Sequence, residues 1–183
     1  MKFHEIPLRG AYIVEIEPIG DQRGKFARTF CKETFKRIGH EKEFVQFNWS
    51  LSNYKRTLRG MHYQILPAAE TKLIRCIQGS VYDVIIDLRK GSDTFLTSYG
   101  IELSGENLKM MYVPEGFAHG FITLEDNSQL IYHHTNYYTP GCERAIRFDD
   151  PLVGIEWPAP PEIISEKDAG HPYLTKNFQG IEV

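Results

Sequence analysis

Short segments in which apolar and polar residues alternate follow one another along most of this chain. Residues 11–17 alternate in this way and end at Pro18. A period of two places alternate side chains on opposite faces of a β-strand. The pattern predicts strands over residues 11–17, 24–30, 44–48, 57–64, 72–77, 81–88, 98–103, 110–113, 117–123, 129–136 and 145–148.

The connections between these segments indicate how the strands are arranged. Gln78-Gly79 separates residues 72–77 from residues 81–88, which predicts a hairpin. A helical pattern is found only over residues 33–38, which Gly39 stops, and near residues 165–169. Short, regularly spaced strands with a few short helices predict a mainly β sandwich or jelly roll.

The alternation ends at Asp149-Asp150-Pro151. We therefore expect one domain over residues 1–183 with an irregular tail from about residue 150. A chain of 183 residues is long enough to bury a substantial core.

Composition excludes several classes of protein. A formal net charge of −3 argues against nucleic-acid binding, which usually requires a basic excess. No apolar run approaches the roughly 20 residues that a membrane-spanning helix needs. Cys31, Cys76 and Cys142 lack metal-ligand spacing, so we interpret them as reduced thiols of a cytoplasmic protein.

Two motifs carry the chemistry: the run from Arg59 to Gln64, and the run from Pro114 to Phe121 with its Pro-x-Gly-x-x-His spacing. The second resembles the second signature of the cupin barrel. The first cupin signature normally supplies His-x-His and a nearby Glu as metal ligands, but here it is His62-Tyr63-Gln64, and Glu70 lies too far along. We therefore predict a barrel with no metal, in which His62 is free to act as a base.

Basic residues on or beside the predicted strands suggest an anionic ligand. They are Arg23, Arg28, Arg59, Lys72 and Arg75. Inward charges are rare unless they are paired or bind a ligand, and Arg suits a diphosphate. The alternative is that these residues face solvent, which stays open for Arg28 and Arg75. We expect Arg59, beside His62, to be functional.

The order and spacing of many segments resemble the dTDP-4-dehydrorhamnose 3,5-epimerase family. The resemblance extends from about residue 10 to about residue 172. The matching segments include Asp21-Gln22-Arg23-Gly24-Lys25-Phe26, Leu58-Arg59-Gly60-Met61-His62-Tyr63-Gln64, Lys72-Leu73-Ile74-Arg75, Tyr132 with Asn136-Tyr137-Tyr138, and Ser165-Glu166-Lys167-Asp168.

The resemblance implies a metal-free cupin without a cofactor, usually a homodimer, that epimerises a nucleotide-linked 4-keto-6-deoxyhexose. By the resemblance His62 is the base and Asp168 orients it. Lys72, together with His119, holds the C4 oxygen, and Tyr132 returns a proton from the opposite face. The resemblance assigns nucleotide-sugar binding to Arg23, Gln46, Asn48, Arg59, His119, Tyr138, Glu143 and Lys167.

Two departures from the family pattern leave the substrate open. Arg28 stands where relatives often have Glu, and Phe47 stands at an often polar position. The alternatives are an epimerase that inverts only C3 or only C5, one that acts on a different nucleotide sugar, or a non-catalytic sugar-nucleotide-binding cupin. The histidines that match no motif are expected on the surface or in packing: His4, His40, His133, His134 and His171.

Overall fold

The computed structural model describes residues 1–183 and consists mainly of β-strands. The strands are β1 (Lys2–Glu5), β2 (Tyr12–Glu15), β3 (Ile19–Asp21), β4 (Gly24–Phe26), β5 (Gln46–Ser52), β6 (Thr57–Gln64), β7 (Lys72–Gln78), β8 (Ser80–Asp87), β9 (Ser98–Ser104), β10 (Lys109–Val113), β11 (Phe117–Thr123), β12 (Ser128–His134), β13 (Glu143–Ala145) and β14 (Ile163–Ile164). The helices are α1 (Lys32–Phe35), which a 3₁₀ turn over Lys36–Ile38 continues, and α2 (Glu166–Ala169). No helix is long and apolar enough to cross a membrane.

Two sheets enclose the core. The first has the order β1-β2-β10-β7-β12-β5, and the second has the order β13-β6-β11-β8-β9, with β14 added to β6 in parallel. The largest cluster of buried apolar residues takes Ile74 and Leu130 from the first sheet and Ile85 and Phe121 from the second. The predicted mainly β, jelly-roll-type barrel with a few short helices is confirmed.

The outer faces of both sheets are also covered. Phe35 of α1 packs against the first sheet, beside Met110. The segment after residue 150 packs against the second sheet, where Trp157 contacts the cluster that contains Ile86. The Trp157 Nε1–H also donates to the Phe148 carbonyl at 2.9 Å. The irregular tail is therefore a packed part of the domain.

The predicted hairpin of β7 and β8 is wrong. β7 pairs with β10 and β12 in the first sheet, whereas β8 pairs with β11 and β9 in the second. Gly79, with φ of 71°, carries the chain from one sheet to the other. A Cβ at this position would lie 2.6 Å from Ser128 Oγ, so the corner requires glycine.

Strand boundaries also differ from the prediction, most of all for three strands. The strand predicted over residues 24–30 ends at Phe26 and pairs only with β3, as an exposed hairpin. The strand predicted over residues 145–148 is instead Glu143–Ala145, which pairs with β6. The strand predicted over residues 44–48 begins at Gln46 and continues to Ser52 because β12 pairs with it along its whole length.

Candidate active site

A cavity of about 590 Å³ opens between the two sheets. This volume lies within the roughly 300–1,000 Å³ typical of small-molecule sites. All the predicted site residues except Arg23 line it, namely His62, Tyr132, Asp168, Lys72, Gln46, Asn48, Arg59, His119, Tyr138, Glu143 and Lys167. The sheets and α2 thus bring together residues that are far apart in the sequence.

His62 on β6 forms a pair with Asp168 of α2. The distance from His62 Nε2 to Asp168 Oδ1 is 2.8 Å, and the Asp168 side chain is only 6% exposed. Burial disfavours the charged carboxylate, but hydrogen bonds from His62, the Gly60 amide and Ser165 outweigh this and lower the pKa of Asp168. Asp168 is therefore an anion that accepts the Nε2–H of His62 and leaves Nδ1 free to accept a proton.

Tyr132 lies on β12 and therefore reaches the cavity from the first sheet, whereas His62 belongs to the second. Its hydroxyl is 3.1 Å from Ser50 Oγ. Burial raises the pKa of Tyr132 well above its usual value. The phenol consequently stays protonated at neutral pH and is available as a proton donor.

His119 pairs with His62 across β11 and β6 and has its own carboxylate partner. The distance from His119 Nε2 to Asp83 Oδ1 is 2.8 Å, and both side chains are almost completely buried. Burial lowers the pKa of His119 although Asp83 opposes this shift. A neutral His119 that donates Nε2–H to Asp83 retains only an acceptor at Nδ1.

A second charged group, formed by Glu70, Lys72 and His134, lies in the cavity wall. Glu70 is 3.3 Å from Lys72 Nζ and 2.9 Å from His134 Nδ1. Burial opposes ionisation of Glu70, but the hydrogen bonds from His134 and Lys72 prevail and lower its pKa. Lys72 also donates to the His62 carbonyl at 3.3 Å, which places its positive charge beside the proposed base.

The mouth of the cavity is polar and partly basic. Arg59 donates to Ser52 Oγ and to the Leu51 carbonyl at 3.2 and 3.3 Å, and its remaining N–H groups are free. Lys167 forms a 2.8 Å ion pair with Glu143. The exposed ring of Tyr138 offers an aromatic surface at this end.

Several basic and aromatic residues singled out in the sequence do not line the cavity. Arg23 lies on the hairpin of β3 and β4, is 85% exposed and pairs with Asp21. Phe47 points to the opposite face of β5 from Gln46 and Asn48. Neither Arg28, which is exposed, nor Arg75 on the outer face of β7 lines the cavity.

The prediction of a surface or packing position for His134 is wrong. His134 is buried and lines the cavity, two residues from Tyr132 on the same face of β12. That spacing was available in the sequence as a signal, because residues i and i+2 of a strand share a face. Glu70 was likewise missed, since it precedes β7 and only the fold brings it to His134.

His171 lies beside the pair of His62 and Asp168. Its Nε2 is 3.8 Å from Asp168 Oδ1, and this buried nitrogen has no hydrogen-bond partner. Donor atoms of His62, Asp168 and His171 all lie within 4.8 Å of one another. Two imidazoles and one carboxylate are donors that Zn²⁺ accepts, so these residues could hold a divalent transition metal.

Comparisons with known proteins point to one family. Residues 5–176 match the family model described as dTDP-4-dehydrorhamnose 3,5-epimerase. The chain is similar to the dTDP-4-dehydrorhamnose 3,5-epimerase of Salmonella typhimurium, with 46% identity over 88% of this chain and 89% of that protein.

Solved structures show the same similarity. The dTDP-4-dehydrorhamnose 3,5-epimerase of Bacillus anthracis, with TDP and PPi bound, superposes with a TM-score of 0.91 at 39% identity, over 94% of this chain and 99% of that one. A Legionella pneumophila epimerase in complex with dTDP-4-keto-L-rhamnose superposes with a TM-score of 0.87 at 38% identity, over 92% of this chain and 89% of that one.

Proposed function

The chain belongs to the dTDP-4-dehydrorhamnose 3,5-epimerase family, and from that premise we propose how its cavity inverts C3 and C5 of dTDP-4-dehydro-6-deoxy-D-glucose to give dTDP-4-dehydro-L-rhamnose. The observation that carries the mechanism is the placement of His62 and Tyr132 on different sheets. Inversion needs a base on one face of the sugar ring and an acid on the other, because a single group would return the proton to the face it came from.

His62 removes the proton. With Nε2–H donated to Asp168, its Nδ1 takes the proton from the carbon beside the C4 ketone, and the electron pair moves into the ketone to form an enolate. Asp168 stabilises the imidazolium that results and holds the ring in one orientation. The Gly60 amide and the Ser165 hydroxyl support this role, since they keep the carboxylate ionised.

Lys72 stabilises the enolate oxygen. A proton beside a ketone is a far weaker acid than imidazolium, so abstraction needs a preorganised positive charge or donor near C4. Such a group contributes about 3–4 kcal/mol to the transition state. His119 is less suited to this task than the sequence predicts, because its Nε2–H is committed to Asp83 and burial favours the neutral ring.

Tyr132 protonates the enolate carbon from the first sheet and thereby completes the inversion. Its raised pKa keeps the proton on the phenol until the enolate forms. The phenol is still more acidic than the carbon that receives the proton. Loss of the proton leaves a phenolate beside Ser50, whose hydroxyl can donate to it.

The cavity mouth binds the nucleotide. Arg59 supplies N–H groups for the diphosphate, Gln46 and Asn48 contact it or the sugar, and Tyr138 stacks on the base. Glu143 and Lys167 complete the rim, where their ion pair is exposed.

No cofactor is required, since the ketone of the substrate stabilises the carbanion. The three cysteines are unpaired, which supports a cytoplasmic location.

A homodimer would complete the site with Arg23. The hairpin of β3 and β4 exposes Ile19 at 77% and Phe26 at 76%, and β5 exposes Phe47 and Trp49 at an unpaired edge. Exposed apolar side chains and an open strand edge are features of an interface. We place a second copy on these surfaces, so that Arg23 reaches the cavity of the partner.

Deuterium incorporation tests the proposed reaction. The protein is incubated with dTDP-4-dehydro-6-deoxy-D-glucose in D₂O, and the sugar is read by mass spectrometry and NMR. Two deuterons, at C3 and C5, are expected, together with the L-lyxo product trapped by a reductase. One deuteron would mark a single-centre epimerase, and none would overturn the substrate assignment.

A further inference from the structure

Two buried residues of the cavity wall take no part in the proposed reaction. The side chains of Glu70 and His134 are 7% and 10% exposed. His134 on β12 lies between Lys72 on β7 and Gln46 on β5, because these residues are paired across the first sheet. It therefore connects the charged group at Lys72 to the residues of β5 at the cavity wall.

The carboxylate of Glu70 determines the hydrogen atoms on the His134 ring. Ionised Glu70 can only accept, so the 2.9 Å contact requires a hydrogen on His134 Nδ1. A neutral ring then has no hydrogen on Nε2. That nitrogen is 3.3 Å from Asn48 Nδ2, which donates to it.

This arrangement determines the orientation of two further amides. With Nδ2 of Asn48 turned to His134, its Oδ1 accepts from Gln46 Nε2 at 3.3 Å. Gln46 Oε1 in turn accepts from the backbone amide of Tyr138 at 3.1 Å. The donors thus follow one direction, from Tyr138 through Gln46, Asn48 and His134 to the charge on Glu70.

We infer that His134 is a positioning residue that fixes the amide orientations of Asn48 and Gln46 and thereby determines how tightly the substrate binds. This inference rests on the proposed function, which gives Asn48 and Gln46 contacts with the nucleotide sugar. An amide presents an acceptor on one side and donors on the other, so a reversed amide would oppose the groups of the substrate. His134 affects KM, whereas His62 and Tyr132 control kcat.

Two substitutions separate the two hydrogen bonds of His134. The His134→Gln amide reaches about as far as Nε2 and retains an acceptor for Asn48. The shorter His134→Asn amide reaches only as far as Nδ1, so it retains a donor for Glu70 but leaves Asn48 without an acceptor. His133→Asn is the matched control, since His133 points to the opposite face of β12 and does not line the cavity.

Steady-state kinetics with dTDP-4-dehydro-6-deoxy-D-glucose give the first test. We expect His134→Asn to raise KM by roughly 3- to 10-fold, the effect of one hydrogen bond, with kcat changed by less than about twofold. His134→Gln and His133→Asn should keep KM within about twofold of the native value. The inference is overturned if His134→Asn and His134→Gln raise KM equally, if His134→Asn leaves KM unchanged, or if it lowers kcat as much as it raises KM.

The ring nitrogens of His134 give a second test that needs no turnover. In the ¹⁵N NMR spectrum of the free protein at neutral pH, we expect a protonated Nδ1 and an unprotonated Nε2. The opposite tautomer, or protonation of both nitrogens, would overturn the inference. If the native protein incorporates no deuterium into the substrate, the proposed function fails, and the NMR result still decides the orientation of the chain of hydrogen bonds.

Discussion

His62 and His119 are paired across neighbouring strands, and each is bonded to a carboxylate, yet only one of them is suited to act as a base. The His62 side chain is 33% exposed, whereas that of His119 is 6% exposed. Protonation of His62 can be compensated by Asp168 and by solvent. Burial lowers the pKa of His119, so proton uptake there is disfavoured.

The difference between the two histidines predicts different losses on substitution. His62→Ala should reduce deuterium incorporation by roughly 10²- to 10⁴-fold, the usual contribution of a general base. His119→Asn should reduce it less, because the base remains. Both rates are read by mass spectrometry of the sugar in D₂O. Near-native exchange in His62→Ala would refute the assignment of the base.

Tyr132→Phe should separate proton exchange from inversion. Abstraction by His62 survives in this variant, while protonation from the opposite face fails. Net formation of the L-lyxo sugar should therefore fall by more than the rate of deuterium incorporation, and the ratio of the two is the measurement. Equal and complete loss of both would show instead that Tyr132 is needed to stabilise the enolate.

We expect zinc to inhibit the protein by binding the cluster of His62, Asp168 and His171. We do not expect the reaction to require a metal. Chelators should leave the native activity unchanged. Added Zn²⁺ should inhibit it, because bonds of about 2.0–2.2 Å to two imidazoles and a carboxylate would occupy the base. His171→Asn removes one ligand and should raise the inhibitory zinc concentration by roughly tenfold or more. Equal inhibition of both proteins would exclude this site.

At the residue scale, motifs identified eleven of the 23 residues that line the cavity but not the side chains that support them. His62, Tyr132 and Asp168 stand in recognisable runs of sequence. Glu70 and His134 do not, and their proximity depends on the pairing of β7 with β12. The spacing of His134 from Tyr132 indicates a shared face of the strand, but its contact with Glu70 is found only when the pairing of the strands is known.

At the element scale, the close approach of β6 and β11 depends on Gly60 and Gly120. Gly60 has φ of 127°, and a Cβ on it would lie 2.4 Å from the Gly120 Cα. The Gly60 amide also donates to Asp168 Oδ2 at 3.3 Å. The same glycine thus lets the backbones meet and holds the carboxylate that orients His62.

Gly60→Ala should lower both stability and activity. Backbone strain and overpacking together are expected to reduce the free energy of unfolding by about 2–5 kcal/mol, measured by chemical denaturation. Gly91→Ala is the matched control, since Gly91 has φ of 74° but nothing within 4 Å of an added Cβ. A loss no greater in Gly60→Ala than in Gly91→Ala would contradict the steric argument.

Buried His40, in the segment after α1, should make the stability of the fold depend on pH. His40 stacks on Phe44 with ring centroids 4.6 Å apart and lies 3.1 Å from the Tyr112 hydroxyl. Burial lowers the pKa of His40. An unfolded histidine titrates near pH 6.5, so the unfolded state binds the proton first, and this contribution to stability is present above about pH 6.5 and lost below it.

His40→Gln should therefore show a smaller decrease in Tm between pH 7.5 and pH 5.5 than the native protein. Gln has no group that must be kept neutral in this range. His4→Gln, at a side chain that is 52% exposed, is the control and should retain the native pH dependence. An unchanged decrease in Tm for His40→Gln would show that other groups cause it.

The strands themselves were largely predictable, while their assignment to sheets was not. Alternation gave most of the strands of the barrel because each strand turns one face to the common core. It failed at Gly79, since a turn between two apolar segments can make either a hairpin or a corner between sheets. Alternation also mispredicted the end of β4, because the hairpin of β3 and β4 is exposed and packs no face against the core of this chain.

At the scale of the whole molecule, one predicted site residue lies outside the cavity. Arg23 occupies the hairpin of β3 and β4, whose residues are all exposed. The Arg23 side chain is 85% exposed, so its ion pair with Asp21 contributes little to the stability of the fold. A second copy that covers the hairpin would explain both the exposed Ile19 and Phe26 and the position of Arg23.

Mixing two impaired variants tests this arrangement. If Arg23 serves the cavity of the partner, a heterodimer of Arg23→Ala and His62→Ala contains one complete cavity, in which native His62 meets the partner's native Arg23. We expect each variant alone to be impaired and a refolded one-to-one mixture to recover about one quarter of native activity, because half of the dimers are mixed and each has one intact site. Light scattering gives the oligomeric state in parallel. A monomer, or a mixture no more active than its components, would show that Arg23 does not complete the site of a second copy.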